Sequence, residues 1–174
     1  QALNTNEIAF LQYTSGSTAD PKGVQLSHRN LLVNIKAMGV ATQLTSKDIF
    51  VSWLPLYHDM GLIGAWLGMF YYAAHLVIMS PLEFLARPQR WLWAIHRYRG
   101  TISAAPNFAY DLCVHRIAEE ELKGLDLSTW RVSCNGAEPV LPDTVRRFCK
   151  RFAEYGFNRK AYWPAMVIAS SRIL

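Results

Sequence analysis

A mostly parallel β-sheet flanked by helices is the fold class this chain predicts, on three observations. Short β-rich apolar runs alternate with longer helix-period segments, the order that builds a parallel sheet covered on both sides. Hydrophobic residues make up 51% and charged residues 18%, enough apolar matter for a packed core. The 174 residues carry no repeat, low-complexity segment or linker, so they read as one module.

The elements follow in order. Ile8 to Tyr13 reads as a strand ending in a polar, Gly-rich turn. Ser27 suits the N-cap of a helix to about Ala41, with Leu31, Leu32, Ile35 and Met38 at helical spacing. Ile49 to Trp53 is a second strand, stopped by Pro55. A helical stretch runs on to Tyr72, and a strand from His75 to Met79. Pro88 opens a helix with Trp91, Leu92, Ile95 and Tyr98 on one face. Ile102 to Ala105 reads as a strand, Phe108 to Glu121 as a helix and Arg131 to Cys134 as a strand. Pro142 suits the first turn of a last helix, whose Val145, Phe148, Cys149 and Phe152 form an apolar stripe. In such sheets ligands sit beyond the carboxyl ends of the strands.

Composition excludes several classes. The net charge of +5 and pI of about 9.2 come without the basic run a phosphate-backbone tracker needs, so nucleic acid is not the expected partner. The positive charge lies mainly in Arg87 to Arg99 and in Arg146, Arg147, Lys150 and Arg151. It reads as solvated faces, with an acidic partner as the alternative. Cys113, Cys134 and Cys149 are odd in number and widely spaced, which fits free thiols in a reducing compartment better than zinc or disulfides. The first residues lack a signal peptide's basic and apolar regions. Met60 to Met79 is broken by glycines and His75, so it reads as buried helix and strand and not as a bilayer span. The expected location is the cytoplasm.

The chemistry begins at Thr14-Ser15-Gly16-Ser17-Thr18-Ala19-Asp20-Pro21-Lys22-Gly23, directly after the first strand. Glycines let successive N–H groups converge on an anion, the hydroxyls of Thr14, Ser15, Ser17 and Thr18 add donors, and Lys22 adds a mobile positive charge. Strand, hydroxyl run, Pro-Lys-Gly and helix in that order argue against an ordinary surface turn. The spacing is not that of a Walker loop. It resembles the phosphate signature of the adenylate-forming superfamily: acyl-CoA synthetases, luciferases and peptide-synthetase adenylation domains. Ala19 stands where that superfamily usually has glycine.

Three further blocks extend the resemblance. Pro55-Leu56-Tyr57-His58-Asp59-Met60-Gly61-Leu62 resembles the second core block in the wording of fatty acyl-AMP ligases. The resemblance places His58, Asp59 and Gly61 between acyl pocket and nucleotide; alone, His58-Asp59 reads equally as a capped helix start. Pro106-Asn107-Phe108-Ala109-Tyr110 is by physics a strand end, turn and helix whose aromatics could be core. By resemblance it borders the acyl tunnel, giving Pro106, Asn107 and Tyr110 to the substrate. Asn135-Gly136-Ala137-Glu138-Pro139 ends another strand, and its small residues let a flat ring approach the backbone. By resemblance it flanks adenine, again in the fatty acyl-AMP ligase wording.

The resemblance runs from about Ile8 to Pro164 and fails afterwards. Met166 and Val167 replace a tyrosine and a glycine. Ser170 stands where a magnesium-linked glutamate is expected, and Arg172 where a phosphate-contacting threonine is. Residues 1–174 are therefore read as part of the large N-terminal domain of an adenylate-forming enzyme, without the C-terminal domain that bears the catalytic lysine. No metal ligand is assigned on this chain. The resemblance implies ATP and Mg²⁺, a fatty acid substrate and an acyl carrier protein as thiol acceptor. Lys22 and His58 would be its catalytic residues, and the piece alone is expected to be inactive. The alternatives are an acyl-CoA synthetase, with CoA as acceptor, and a non-catalytic remnant or binding module.

Overall fold

A computed structural model describes residues 4–14 and 22–164. Its centre is a five-stranded parallel sheet in the order β4-β3-β5-β6-β7. The strands are β3 (Ile49–Ser52), β4 (His75–Ile78), β5 (Ile102–Ala105), β6 (Val132–Asn135) and β7 (Tyr162–Pro164). All four residues of β5 are buried, as expected of a strand with neighbours on both sides and helices on both faces. A separate antiparallel hairpin, β1 (Ile8–Thr14) and β2 (Lys22–Ser27), precedes this sheet.

The hairpin corrects the expectation for the first strand. β1 does not enter the parallel sheet, and the phosphate loop does not lead straight into a helix. Thr14 pairs with Lys22, so the two residues that flank the 15–21 segment are neighbours at the end of the hairpin ladder. Helix α1 (His28–Thr42) then starts at Ser27, whose hydroxyl accepts from the Asn30 N–H at 3.1 Å while the Asn30 side chain accepts from the Ser27 N–H.

After β3, residues Met60–Leu67 form a π-helical stretch that continues as α2 (Gly68–Tyr71). The remaining helices are α3 (Pro81–Ala86), α4 (Gln89–Tyr98), α5 (Asn107–Arg116) and α6 (Pro142–Phe152). The expected Phe108 to Glu121 helix is broken: α5 ends at Arg116, Ile117 is extended, and a short 3₁₀ turn covers Glu119–Leu122. Arg151 of α6 caps that break, donating to the carbonyls of Cys113, Val114 and Ile117 and to Glu119.

The core is aromatic. Trp91, Trp130, Tyr110 and Phe148 are fully buried or nearly so, and meet edge to face at ring separations from 5.0 to 6.2 Å. Trp53 stacks on Phe84 at 4.0 Å.

Opposite the motif-bearing ends, the strands are tied by one polar cluster. Asp48, just before β3, accepts from the Thr101 hydroxyl at 2.7 Å and from Arg131 Nε and Nη2 at 2.9 and 2.8 Å. Arg131 also donates to the Thr42 and Gln43 carbonyls, tethering the end of α1. Burial alone would raise the Asp48 carboxyl, but the bonds from Arg131, Thr101 and the Thr45 backbone prevail and hold it down at about 2.

Candidate nucleotide and acid site

Each sequence block after the hairpin lies at the carboxyl end of a parallel strand: His58 beyond β3, Pro106–Asn107 beyond β5, Asn135–Pro139 at and beyond β6. Those three strands are neighbours in the sheet, so segments separated by up to about eighty residues converge along one edge. α1, anchored at the amino edge by Arg131, packs against Met60–Leu67 and returns the hairpin towards the carboxyl edge.

In the β3 block, His58 is half exposed and its Nδ1 lies 2.8 Å from Asp59 Oδ1. The Met60 N–H lies 2.7 Å from that same oxygen and 3.3 Å from His58 Nδ1. The Met60 N–H thus donates to the Asp59 carboxylate at the shorter distance and to His58 Nδ1 at the longer one, so Asp59 caps the π-helical stretch and both side chains are held at its start. Gly61 is explained by packing, since a Cβ there would lie 2.3 Å from the Pro55 carbonyl oxygen.

The β5 and β6 blocks are hydrogen-bonded to each other. Asn107 Oδ1 accepts from Asn135 Nδ2 and from the Leu141 N–H, each at 3.1 Å, and its Nδ2 faces Thr144 Oγ1 at 3.4 Å. The Phe108 N–H donates to the Glu138 carboxylate at 2.6 Å, and the Gly136 N–H to the Ala105 carbonyl at 3.3 Å. Asn135 also donates to the Tyr162 hydroxyl of β7. Burial pushes that phenol up to about 12 despite the bond from Asn135, so Tyr162 stays neutral. Ala137 sits in the left-handed region at φ 68°, while Ala137, Glu138 and Pro139 are exposed. Asn135 and Gly136 beneath them are buried.

The structure thus brings together His58, Asp59, Pro106, Asn107 and Asn135 to Pro139. Tyr110 has no exposed surface, and its hydroxyl lies 2.8 Å from the Cys134 carbonyl and 3.0 Å from Ser133 Oγ. Ser15, Gly16, Ser17 and Thr18 lie outside the described residues, as do Met166, Val167, Ser170 and Arg172. For Thr14 and Lys22 the backbone pairing at the hairpin base is described, and Gly23 follows in β2. Two residues of this edge were not singled out by sequence: Tyr162, on a three-residue strand, and Thr144, inside an ordinary helix stripe.

A parallel sheet with the sequence motifs along its carboxyl edge, preceded by an antiparallel hairpin, is the architecture of an α/β nucleotide-binding domain. The chain belongs to the AMP-binding enzyme family, whose model matches residues 1–165. It is 44% identical over 172 residues to the medium-chain-fatty-acid–[acyl-carrier-protein] ligase JamA of Moorena producens, covering 99% of this chain and 29% of that protein. It is 40% identical over 168 residues to the corresponding ligase TtuA of Teredinibacter turnerae, covering 97% and 26%. The fold superposes on the fatty acyl-adenylate ligase of L. pneumophila, solved in complex with acyl adenylate and pyrophosphate. There the TM-score is 0.92 at 49% identity, over 95% of this chain and 29% of that one. The chain therefore spans less than a third of the length of these relatives. Among the described residues, no helix is long and apolar enough to cross a membrane.

Proposed function

We propose that this chain forms the nucleotide- and acid-facing part of the large domain of an enzyme that joins a fatty acid to AMP and passes the acyl group to the thiol of an acyl carrier protein. One observation carries the reading: the blocks expected to meet acid and adenine lie side by side along the carboxyl edge of one sheet. The names of the similar ligases supply the substrate class and the acceptor. The lysine-bearing domain belongs to the remainder of the full-length protein. Its setting is the cytoplasm, consistent with three free thiols.

In the first step a carboxylate oxygen of the acid attacks the α-phosphorus of ATP. The bond to the bridging oxygen breaks, and pyrophosphate leaves with that electron pair. Lys22, Gly16, Gly23 and the hydroxyls of Thr14, Ser15, Ser17 and Thr18 hold the β- and γ-phosphates. Asn135 to Pro139 seat adenine, and His58, fixed by Asp59, orients the acid beside Gly61 and the Pro106–Tyr110 turn. Catalysis is then mainly positioning and charge neutralisation. In the second step the carrier thiol attacks the acyl carbon, loses its proton, and AMP departs.

Mg²⁺, when bound, supplies further neutralisation of phosphate charge. Among the described residues no three His, Cys, Asp or Glu side chains gather as metal ligands, and Asp59 and Glu138 are engaged by backbone N–H groups. These residues do not fit a resident metal, and neither step above runs through one.

The test is fatty-acid-dependent ATP–pyrophosphate exchange by the full-length protein carrying this segment, followed by offering the adenylate a carrier protein or free CoA. Lys22→Ala is expected to slow exchange on the order of 10²- to 10³-fold with melting unchanged. Undiminished exchange in that variant refutes the phosphate loop. Robust thioester formation with free CoA moves the assignment to an acyl-CoA synthetase.

A further inference from the structure

Asn107 was expected to face the acid, yet its amide is turned elsewhere. It is only 5% exposed, and three of its polar contacts go to protein groups on the adenine side: Asn135, the Leu141 backbone and Thr144. These partners bracket the loop from Gly136 to Leu141. The adjacent bonds from Gly136 to Ala105 and from Phe108 to Glu138 fasten the same loop to the same turn. Three residues of one strand end and turn thus hold the loop: Ala105 its start at Gly136, Phe108 its middle at Glu138 and Asn107 its end at Leu141.

The loop needs holding. Ala137 lies at φ 68°, a conformation a residue with a Cβ resists, so the segment would relax were its fastenings cut. Asn107 is the fastening that reaches furthest. A single carbonyl oxygen accepts from the side chain that ends β6 and from the backbone that leads into α6. Removing it takes the acceptor from the Leu141 N–H and one of the two acceptors from the buried Asn135 amide at once.

We propose that Asn107 is a positioning residue for the nucleotide: from the turn on the acid side, it fixes the Gly136–Leu141 loop in the shape that receives adenine. This rests on the adenylate-forming reading above. It separates two tasks within one turn, with Pro106 left to the acid and Asn107 serving the nucleotide loop.

The experiment uses the full-length protein and two readouts. In Asn107→Ala, the KM for ATP should rise on the order of tenfold, while the KM for the fatty acid changes little. Backbone hydrogen exchange across residues 136–141 should quicken in the same variant without ligand, a readout independent of activity. Asn107→Asp keeps the acceptor oxygens, and Thr144 can donate to them, so it should recover most of both losses. It also serves if the alanine variant does not fold. A rise in fatty-acid KM with ATP KM unchanged would return Asn107 to the acid wall and overturn the proposal. So would unaltered exchange in the loop, or an aspartate variant as impaired as the alanine one. Absence of acid-dependent ATP–pyrophosphate exchange in the unmutated protein would instead count against the proposed function, and the hydrogen-exchange arm would still decide the role of Asn107.

Discussion

The two edges of the parallel sheet are built to different rules. At the amino edge, Asp48, Thr101 and Arg131 stand immediately before β3, β5 and β6 and satisfy one another, with the end of α1 drawn in through two carbonyls. At the carboxyl edge the polar groups are only partly spent. Among the described residues, Trp53 Nε1, Asn135 Oδ1 and Arg151 Nε are buried without a partner, and the first two belong to the ends of strands that carry motifs. Buried polar groups are ordinarily paired, so two unpaired ones at these strand ends mark where stability was not the first demand. The amino edge secures the strands; under the proposed function the carboxyl edge leaves groups for a ligand.

The largest expected effect breaks the amino edge. Arg131→Ala leaves the Asp48 carboxylate, itself only 5% exposed, without its guanidinium, and also frees the Thr42 and Gln43 carbonyls. A loss of about 3 kcal/mol is expected, because an uncompensated buried charge costs more than the pair was worth. In the full-length protein this should lower the melting temperature by roughly 2 to 3 °C, with KM for ATP unchanged at temperatures where the protein is folded. A shift below a degree would remove the clamp from the account.

Acid should expose the same clamp from the other direction. The Asp48 carboxyl titrates at about 2 when folded and near its ordinary 3.8 when released. A lowered folded value means that its contribution is fully present above about pH 4 and is lost as the pH falls through 2. That contribution is worth about 2 kcal/mol. The comparison to make is melting of the wild type and Asp48→Asn between pH 5 and pH 2. The variant starts lower and should show the smaller acid-dependent decline; parallel curves would contradict the depressed carboxyl.

The edges also differ in how legible they were. The carboxyl edge was legible as a set of motifs because its residues come in contiguous runs, such as Pro55 to Leu62 and Asn135 to Pro139, long enough to carry a family resemblance. Strands β5 and β6 were readable for a similar reason: short apolar runs between helices and turns. The amino-edge clamp joins residues 53 and 83 positions apart, each of them an ordinary polar residue before a strand. That position, directly before an apolar run in three different places, was the available signal. β2 escaped because Gly23 to Leu26 is brief and abuts the Ser27 cap, so Pro-Lys-Gly looked like a loop entering a helix. The π-helical form of Met60–Leu67 follows neither a period of two nor of 3.6. For Asn107, sequence shows which turn holds the side chain and not which way its amide is engaged.

The smallest expected effect is the sharpest probe of the contrast, because a non-glycine residue in the left-handed region can be compared from each edge: Gln43, Ala73 and Arg99 precede strands on the amino side, and Ala137 follows β6. Gln43, at φ 51°, ends α1 beside the clamp; Ala137, at φ 68°, lies in the adenine-side loop. Glycine relieves roughly 1 kcal/mol of steric cost at such a position but gives back about 0.5 kcal/mol through a freer unfolded chain. Gln43→Gly and Ala137→Gly should therefore each stabilise by about half a kcal/mol, a shift of roughly half a degree in melting of the full-length protein. Function should separate them. At Gln43 the carbonyl still receives Arg131, and a helix end tolerates glycine, so the KM for ATP should not move. At Ala137 the added backbone freedom must be lost again when the ring is seated, which should raise the KM for ATP about threefold, roughly 0.6 kcal/mol. Equal KM values in the two variants would mean that the carboxyl edge is as indifferent to local conformation as the amino edge, and that its unpaired polar groups, not its loop shape, carry whatever selectivity it has.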